Sequence, residues 1–170
     1  MNQAIRLFSA LVLGVILTST GCSVKYGFQG IDTSGAETFS VDFFKLQTPK
    51  ANQEFSQLFT EDFKTIIQSQ SPLDLTERDG QLEFSGAIVG YKVSPVAVTD
   101  NQTASLNRLT VRVKVKYVNN IEEEKSFVKE FSEFAEFDSA QDFFSVEESL
   151  WEEIVEKLSQ SIYNVSLGNW

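Results

Sequence analysis

Read as a string of apolar and polar positions, the chain has one stretch that alternates without a slip, residues 106–118. Leu109, Val111, Val113, Val115 and Tyr117 fall on one side; Arg108, Thr110, Arg112, Lys114 and Lys116 fall on the other. Successive side chains of a strand point to opposite faces, so this is a half-buried β-strand with an apolar face to cover and a basic face to account for. Residues 38–44 alternate more briefly and predict a first strand with Phe39, Val41 and Phe43 inward. Over residues 52–69 the period changes. Phe55, Leu58, Phe59, Phe63, Ile66 and Ile67 recur at intervals of three and four, which makes one face of an amphipathic helix. Thr48-Pro49 marks the turn into it and Ser71-Pro72 its end. Leu73-Asp74-Leu75-Thr76 reads as a short edge strand before a turn at Asp79-Gly80.

Residues 82–98 form the second long β segment. Its pattern assigns Leu82, Phe84, Gly86 and Ile88 to one face and Glu83, Ser85, Ala87, Val89 and Tyr91 to the other. Gly86 and Gly90 predict a bulge, a bend or close packing of another element, and Pro95 an edge or the end of regular pairing. A loop at residues 100–103 leads back into the central strand. Asn119-Asn120 and the glutamates that follow turn the chain into a last strand over residues 125–137. Phe127 and Phe131 are its apolar positions; Phe134 and Phe137 are read as out of phase and predict a bulge near Glu133. Ser145-Val146-Glu147-Glu148 has the spacing of a capping box and opens a helix to about residue 164, with Val146, Leu150, Ile154, Val155, Leu158 and Ile162 inward. The order of elements predicts an α+β two-layer sandwich: a mostly antiparallel or mixed four-stranded sheet with two helices packed on one face.

The N-terminus changes the picture of where this domain works. Arg6 is followed by an apolar run over residues 7–17, too short to span a bilayer but right for the core of a signal peptide. Thr18-Ser19-Thr20-Gly21-Cys22 then places the chain's single cysteine beside small residues, as in a bacterial lipobox, with Ser19 where such boxes usually carry Leu. Two readings stay open: lipidation of Cys22 after cleavage, or ordinary cleavage that leaves a free thiol. The lone Cys has no internal disulfide partner, and its placement favours lipidation. Residues 1–21 are then a lipoprotein signal peptide, 22–37 a lipidated tether and 38–170 a single domain. Several acyl chains on one Cys hold a protein stably at a membrane, anchored and not spanning.

Charge and chemistry exclude several classes. The net charge is −10, and losing residues 1–21 removes Arg6 and no acid, which argues against nucleic acid and against electrostatic adhesion to anionic membrane. There is no His. The usual nucleophilic triads and zinc sites therefore lack their residues, no phosphate-cradling Gly loop is present, and the reading is of a protein that is not an enzyme and needs no cofactor or metal. Glu152-Glu153 are adjacent on a helix, point apart, and read as a solvated face. Asp138-Ser139-Ala140 resembles a short O-glycosylation sequon at Ser139. The basic strand face keeps two readings. Its cations stand about 6.5–7 Å apart, a spacing that can meet successive phosphates, or they pair with acids such as Glu83 and Glu130 on neighbouring strands.

Several runs in a fixed order carry a family resemblance. They are the lipobox Cys22; Gly27-Phe28-Gln29-Gly30; Phe55-Ser56-Gln57-Leu58-Phe59-Thr60-Glu61; Leu82-Glu83-Phe84-Ser85-Gly86; Gly90-Tyr91-Lys92-Val93-Ser94-Pro95-Val96-Ala97-Val98; Leu106-Asn107-Arg108-Leu109-Thr110-Val111; and Phe131-Ser132-Glu133-Phe134-Ala135. Across the mature chain they resemble the Bacteroidetes branch of LptE, the lipopolysaccharide-assembly lipoprotein. The resemblance implies two helices on one side of a sheet. It also implies a lipid-anchored position at the periplasmic face of the outer membrane, a one-to-one plug inside the β-barrel LptD, and contact with lipopolysaccharide. Lys92, Arg108, Arg112, Lys114 and Lys116 are the candidate lipopolysaccharide contacts by charge and face. The alternative is a stand-alone periplasmic glycan- or lipid-binding lipoprotein.

Overall fold

The computed structural model describes residues 31–96 and 105–168. The leader at 1–21, Cys22, the tether as far as residue 30 and the loop at 100–103 lie outside the described residues. The strands are β1 (Thr38–Val41), β2 (Lys45–Leu46), β3 (Asp74–Leu75), β4 (Leu82–Pro95), β5 (Leu106–Asn119) and β6 (Phe127–Asp138); the helices are α1 (Gln53–Gln70) and α2 (Phe143–Leu167). They form one mixed sheet in the order β3-β1-β4-β5-β6, with β2 also paired to β4. β4, β5 and β6 are antiparallel, whereas β1 and β2 pair with β4, and β3 with β1, in parallel. The class is the expected α+β with two helices packed on the sheet. The strand number is six and not four, because the first strand is broken in two and residues 74–75 join the sheet through β1.

The central strand behaves as its pattern dictates. Leu109, Val111, Val113 and Val115 are fully buried and Tyr117 nearly so. Each such side chain removed from water contributes about 1.5–3 kcal/mol before chain entropy is set against it. Phe55, Phe59, Phe63 and Ile67 of α1 and Leu150, Ile154, Leu158 and Ile162 of α2 belong to the same buried core. Asn52 caps α1, its side-chain oxygen accepting from the Phe55 amide at 2.9 Å, and the Ser71 amide closes the other end on the Ile67 carbonyl. The helices are tied to each other where Tyr163 donates to the Gln70 carbonyl at 2.7 Å and the Gln70 amide to Gln160 at 2.8 Å.

Four local expectations are corrected. Phe43 does not point inward: it is 42% exposed, and Phe44 is fully buried in its place. The chain leaves strand geometry at residues 42–44 so that the Phe44 ring lies over Gly86, where a Cβ would come within 2.7 Å of it. That ring meets Phe59 edge-on at 4.8 Å. Its buried backbone is satisfied from α1: Thr60 accepts from the Phe44 amide at 3.2 Å, and Ser56 donates to the Phe44 carbonyl. This is why two polar residues, Ser56 and Thr60, sit on the buried face of that helix. Tyr91 is likewise buried, not on the outer face, because the predicted irregularity in β4 is a bulge between Ile88 and Gly90 that advances the phase by one residue. No bulge interrupts β6. Its register with β5 is continuous from Leu106–Asp138 to Tyr117–Phe127, Phe131 and Phe137 share the inner face, and Phe134 alone faces out. The capping box at Ser145 does not form. Asp138 accepts from the Ala140 amide in a turn that lets α2 begin at Phe143, which leaves Ser145 inside the first turn donating to the Asp142 carbonyl at 2.7 Å.

Residues 31–37 lie against one end of the sheet. The Asp32 amide donates to the Leu167 carbonyl at 2.8 Å, and Lys125 reaches Asp32 at 2.6 Å and Ser34 at 3.0 Å. Asn119, fully buried, donates to Ser34 at 3.0 Å and accepts from the Ile121 and Glu122 amides, so one side chain organises both this strap and the β5–β6 turn.

The open face of the sheet as a candidate functional site

Both helices cover the inner face, so the outward side chains of β4, β5 and β6 form an open surface. Register places them in rows across the sheet. Ser94, Arg108 and Glu136 stand side by side, as do Lys92, Thr110 and Phe134; Gly90, Arg112 and Ser132; Ala87, Lys114 and Glu130; and Ser85, Lys116 and Val128. Parallel pairing of Lys45 with Ala87 extends the fourth of these rows to β2.

The candidate cations divide into two groups. Arg108 donates from Nε to Glu136 at 3.0 Å, and its guanidinium stacks 3.9 Å from the Phe134 ring centroid. That explains an exposed Phe in a polar face, and it commits Arg108 to structure. Arg112 pairs with Glu130 at 2.9 Å and lies flat across Gly90, where an added Cβ would stand 2.6 Å from its Nε. Each of these pairs is exposed and stabilises by roughly 0–1 kcal/mol. For the two arginines, pairing with acids on the neighbouring strand is the arrangement observed. Lys92, Lys114 and Lys116 form no ion pair among the described residues. Glu130, directly opposite Lys114, is turned to Arg112 instead.

The unpaired lysines line two hollows. Lys114 and Lys116 border one of about 650 Å³ together with Lys45, and Lys92 borders one of about 440 Å³ together with Lys50 and Arg112. Lys45 and Phe43 escaped the sequence reading because both depend on the break at residues 42–44, which turns position 43 outward and keeps 45 beside it. The proximity of Lys45 to Ala87 requires the parallel pairing of a two-residue strand, for which the local sequence holds no signal. Ser139 is exposed in the turn before α2, its amide donating to the Ser105 carbonyl. Cys22 lies outside the described residues.

Buried polar groups elsewhere serve the fold. The Tyr91 hydroxyl donates to Glu147 and accepts from the Trp151 indole N–H at 2.6 Å. Burial, with the nearby carboxylate, pushes the Tyr91 pKa up, and burial pushes Tyr117 up to about 12. Neither phenol changes charge near neutrality. Among the described residues no group of three His, Cys, Asp or Glu is placed to hold a metal ion, and no helix is long and apolar enough to cross a membrane.

Helices on one side of a mixed sheet, with the other side open, charged and grooved, define an α+β body whose sheet face is its free surface. Residues 36–165 match the family model described as LptE, lipopolysaccharide-assembly. The chain belongs to the LptE family, whose role is in lipopolysaccharide assembly. No curated protein matches the sequence. Among solved structures, a protein from Xanthomonas campestris has a similar fold, with a TM-score of 0.51 at 8% identity over 77% of this chain and 82% of that one. A minor lipoprotein from Acinetobacter baumannii aligns with a TM-score of 0.48 at 12% identity, covering 79% of this chain and 98% of that one.

Proposed function

We propose that this protein is a non-enzymatic outer-membrane lipoprotein, anchored through Cys22 on the periplasmic side, that docks as a plug into the β-barrel LptD and supports lipopolysaccharide delivery there. The family match over residues 36–165 carries the reading. The body supports it physically. A plug needs a rigid core and a polar surface compatible with a wet barrel lumen, and the outer sheet face has charged side chains on every strand from β4 to β6. Direct contact with lipopolysaccharide falls to Lys92, Lys114 and Lys116, whose ammonium groups are not spent on neighbouring acids among the described residues.

The experiment is affinity capture from detergent-solubilised outer membrane, with mass spectrometry of what is retained. A near-stoichiometric large β-barrel is the expected outcome. Recovery of this chain alone in every mild detergent overturns the plug reading.

A further inference from the structure

We infer that Ser139 is an acceptor for an O-linked glycan, its hydroxyl presented on a braced turn and read together with the Asp138 carboxylate and the small Ala140. The inference goes beyond the assembly role above. It rests on the export of the chain read from residues 1–21 and depends on neither the barrel nor lipopolysaccharide.

Asp138 ends β6, paired with Leu106 at the start of β5. The chain then turns on Ser139 and Ala140, the Gln141 amide donating to the Asp138 carbonyl at 3.0 Å. Asp138 braces that turn with its own side chain, Oδ1 accepting from the Ala140 amide at 2.8 Å. The Ser139 amide donates to the Ser105 carbonyl at 3.0 Å, and the Asp138 amide to the Gln141 side chain at 3.3 Å. Every amide from 138 to 141 therefore has a partner, and residues 138–142 are all exposed. The Ser139 hydroxyl is left over, with no hydrogen bond among the described residues. The next serines along the chain differ: Ser145 and Ser149 spend theirs on the Asp142 and Val146 carbonyls. A hydroxyl not used by the fold, on a turn that protrudes from it, is one that a transferase acting on the folded chain can reach.

The chain carries its own contrast. Asp precedes Ser or Thr at two places in the sequence, Asp138-Ser139 and Asp32-Thr33. At the second, the Asp32 carboxylate is taken up by Lys125 at 2.6 Å and by the Ser34 amide at 3.0 Å, Thr33 is half-buried in the strap, and Ser34 stands where the first has a small apolar residue. Motif and accessibility therefore select the same site. In the transfer, the Ser139 Oγ attacks the anomeric carbon of a sugar activated as a diphosphate ester. The glycosidic C–O bond forms, the bond from that carbon to the diphosphate oxygen breaks with its electron pair, and the hydroxyl proton passes to a base of the transferase. Phe144, in the first turn of α2, is 80% exposed. Its ring offers the C–H face of an attached sugar an aromatic surface, and a glycan there shields a side chain otherwise left in water. β5 begins beside this turn and ends beside the strap, so the glycan projects from the end of the sheet remote from the anchor.

The test isolates the mature chain from membranes of the bacterium that encodes it and reads its intact mass, then the electron-transfer fragments of the peptide around residue 139. A discrete added mass on Ser139 that releases sugar oxonium ions is expected, with none on Thr33. Ser139→Ala returns the chain to its unmodified mass, and Ser139→Thr keeps the addition. Asp138→Asn is the sharper variant: its amide oxygen can still accept from the Ala140 amide and hold the turn, yet the carboxylate is gone and the glycan is lost. Ala140→Glu, at an exposed position, serves where Asp138→Asn shifts the thermal transition. An unmodified mature mass, an addition without sugar ions, or a glycan that persists in Ser139→Ala or in both motif variants overturns the proposal. Capture of the barrel is a separate readout, so its failure leaves a glycan at Ser139 standing, and a bare Ser139 leaves the assembly reading untouched.

Discussion

At the scale of single residues, the molecule separates side chains that carry structure from those left available. Tyr91 illustrates the first kind. Its hydroxyl links Trp151 and Glu147 across the interface between sheet and helix α2, and its ring meets Phe55 and Trp151 meets Phe55 edge-on. Tyr91→Phe strands a buried indole N–H, and leaving such a donor unsatisfied costs about 1–3 kcal/mol. Chemical denaturation is expected to show that loss at neutral pH with an unchanged slope. Arg108 and Arg112 belong to the same class, although charge alone grouped them with the lysines beside them. Asp32 adds a pH dependence. The hydrogen bond from Lys125 holds its carboxyl below the ordinary carboxylate range, and the same contact holds Lys125 above its own. A carboxylate with a depressed folded value stabilises fully above its unfolded value, near 4, and that contribution disappears as pH falls through the folded value; the raised lysine keeps its share until pH passes about 10. The strap at residues 31–37 is therefore expected to stay pinned through neutral pH and to loosen in acid. The amide shifts of Asp32 and Ser34, followed from pH 7 to about 3, would move with the carboxylate if this is right and stay flat if the pair contributes nothing.

At the scale of elements, the break between β1 and β2 is the device that shapes the site. Phe44 turns in over Gly86, α1 supplies Ser56 and Thr60 to its backbone, and Phe43 and Lys45 are left on the outer face. A side chain at position 86 would collide with the Phe44 ring and with the Lys114 carbonyl, neither of which is a loose end. Gly86→Ala is therefore expected to destabilise the fold by about 1–3 kcal/mol, the range for overpacking a filled core. Because the displaced element is β2, the same substitution should perturb the Lys45 amide more than that of Lys92, which a heteronuclear NMR spectrum reads directly. Gly90→Ala makes a contrast: the nearest atoms to its added carbon all belong to the Arg112 side chain, the Nε at 2.6 Å and the Cβ at 3.1 Å, so the flexible guanidinium gives way first, stability should change less than at Gly86, and the Arg112–Glu130 pair should shift.

At the scale of the whole molecule, anchoring and the open sheet face belong to one reading of function. With acyl chains on Cys22, the protein is expected in the membrane fraction after a high-salt wash, and Cys22→Ser is expected to release it. Retention of the serine variant would mean that something other than lipid holds it. The strap enters the body beside Leu167 and Lys125, at the end where β5 turns toward β6. β5 has 14 residues and so runs roughly 45 Å from that end to its start at Leu106. Lys92, Lys45, Lys114 and Lys116 of the outer face lie in the rows of β5 residues 110 to 116, roughly 20 Å of that length.

Periodicity by itself determined the elements that bury one face over many residues. Unbroken alternation at 106–118 and spacings of three and four at 52–69 leave few other ways to hide so much apolar surface, and β5, α1 and the α+β class follow from them. The family was legible too, in the order of its runs, and the model match over residues 36–165 bears it out. Tertiary structure alone decided phase wherever a segment was short or interrupted. One inserted residue at the β4 bulge carried Tyr91 into the core, and the pull of a buried site over Gly86 chose Phe44 against Phe43. It also decided which cations are free. Whether a lysine or arginine meets an acid depends on cross-strand register, which couples residues such as Lys45 and Lys114 that are far apart in the chain, and no local pattern encodes that pairing.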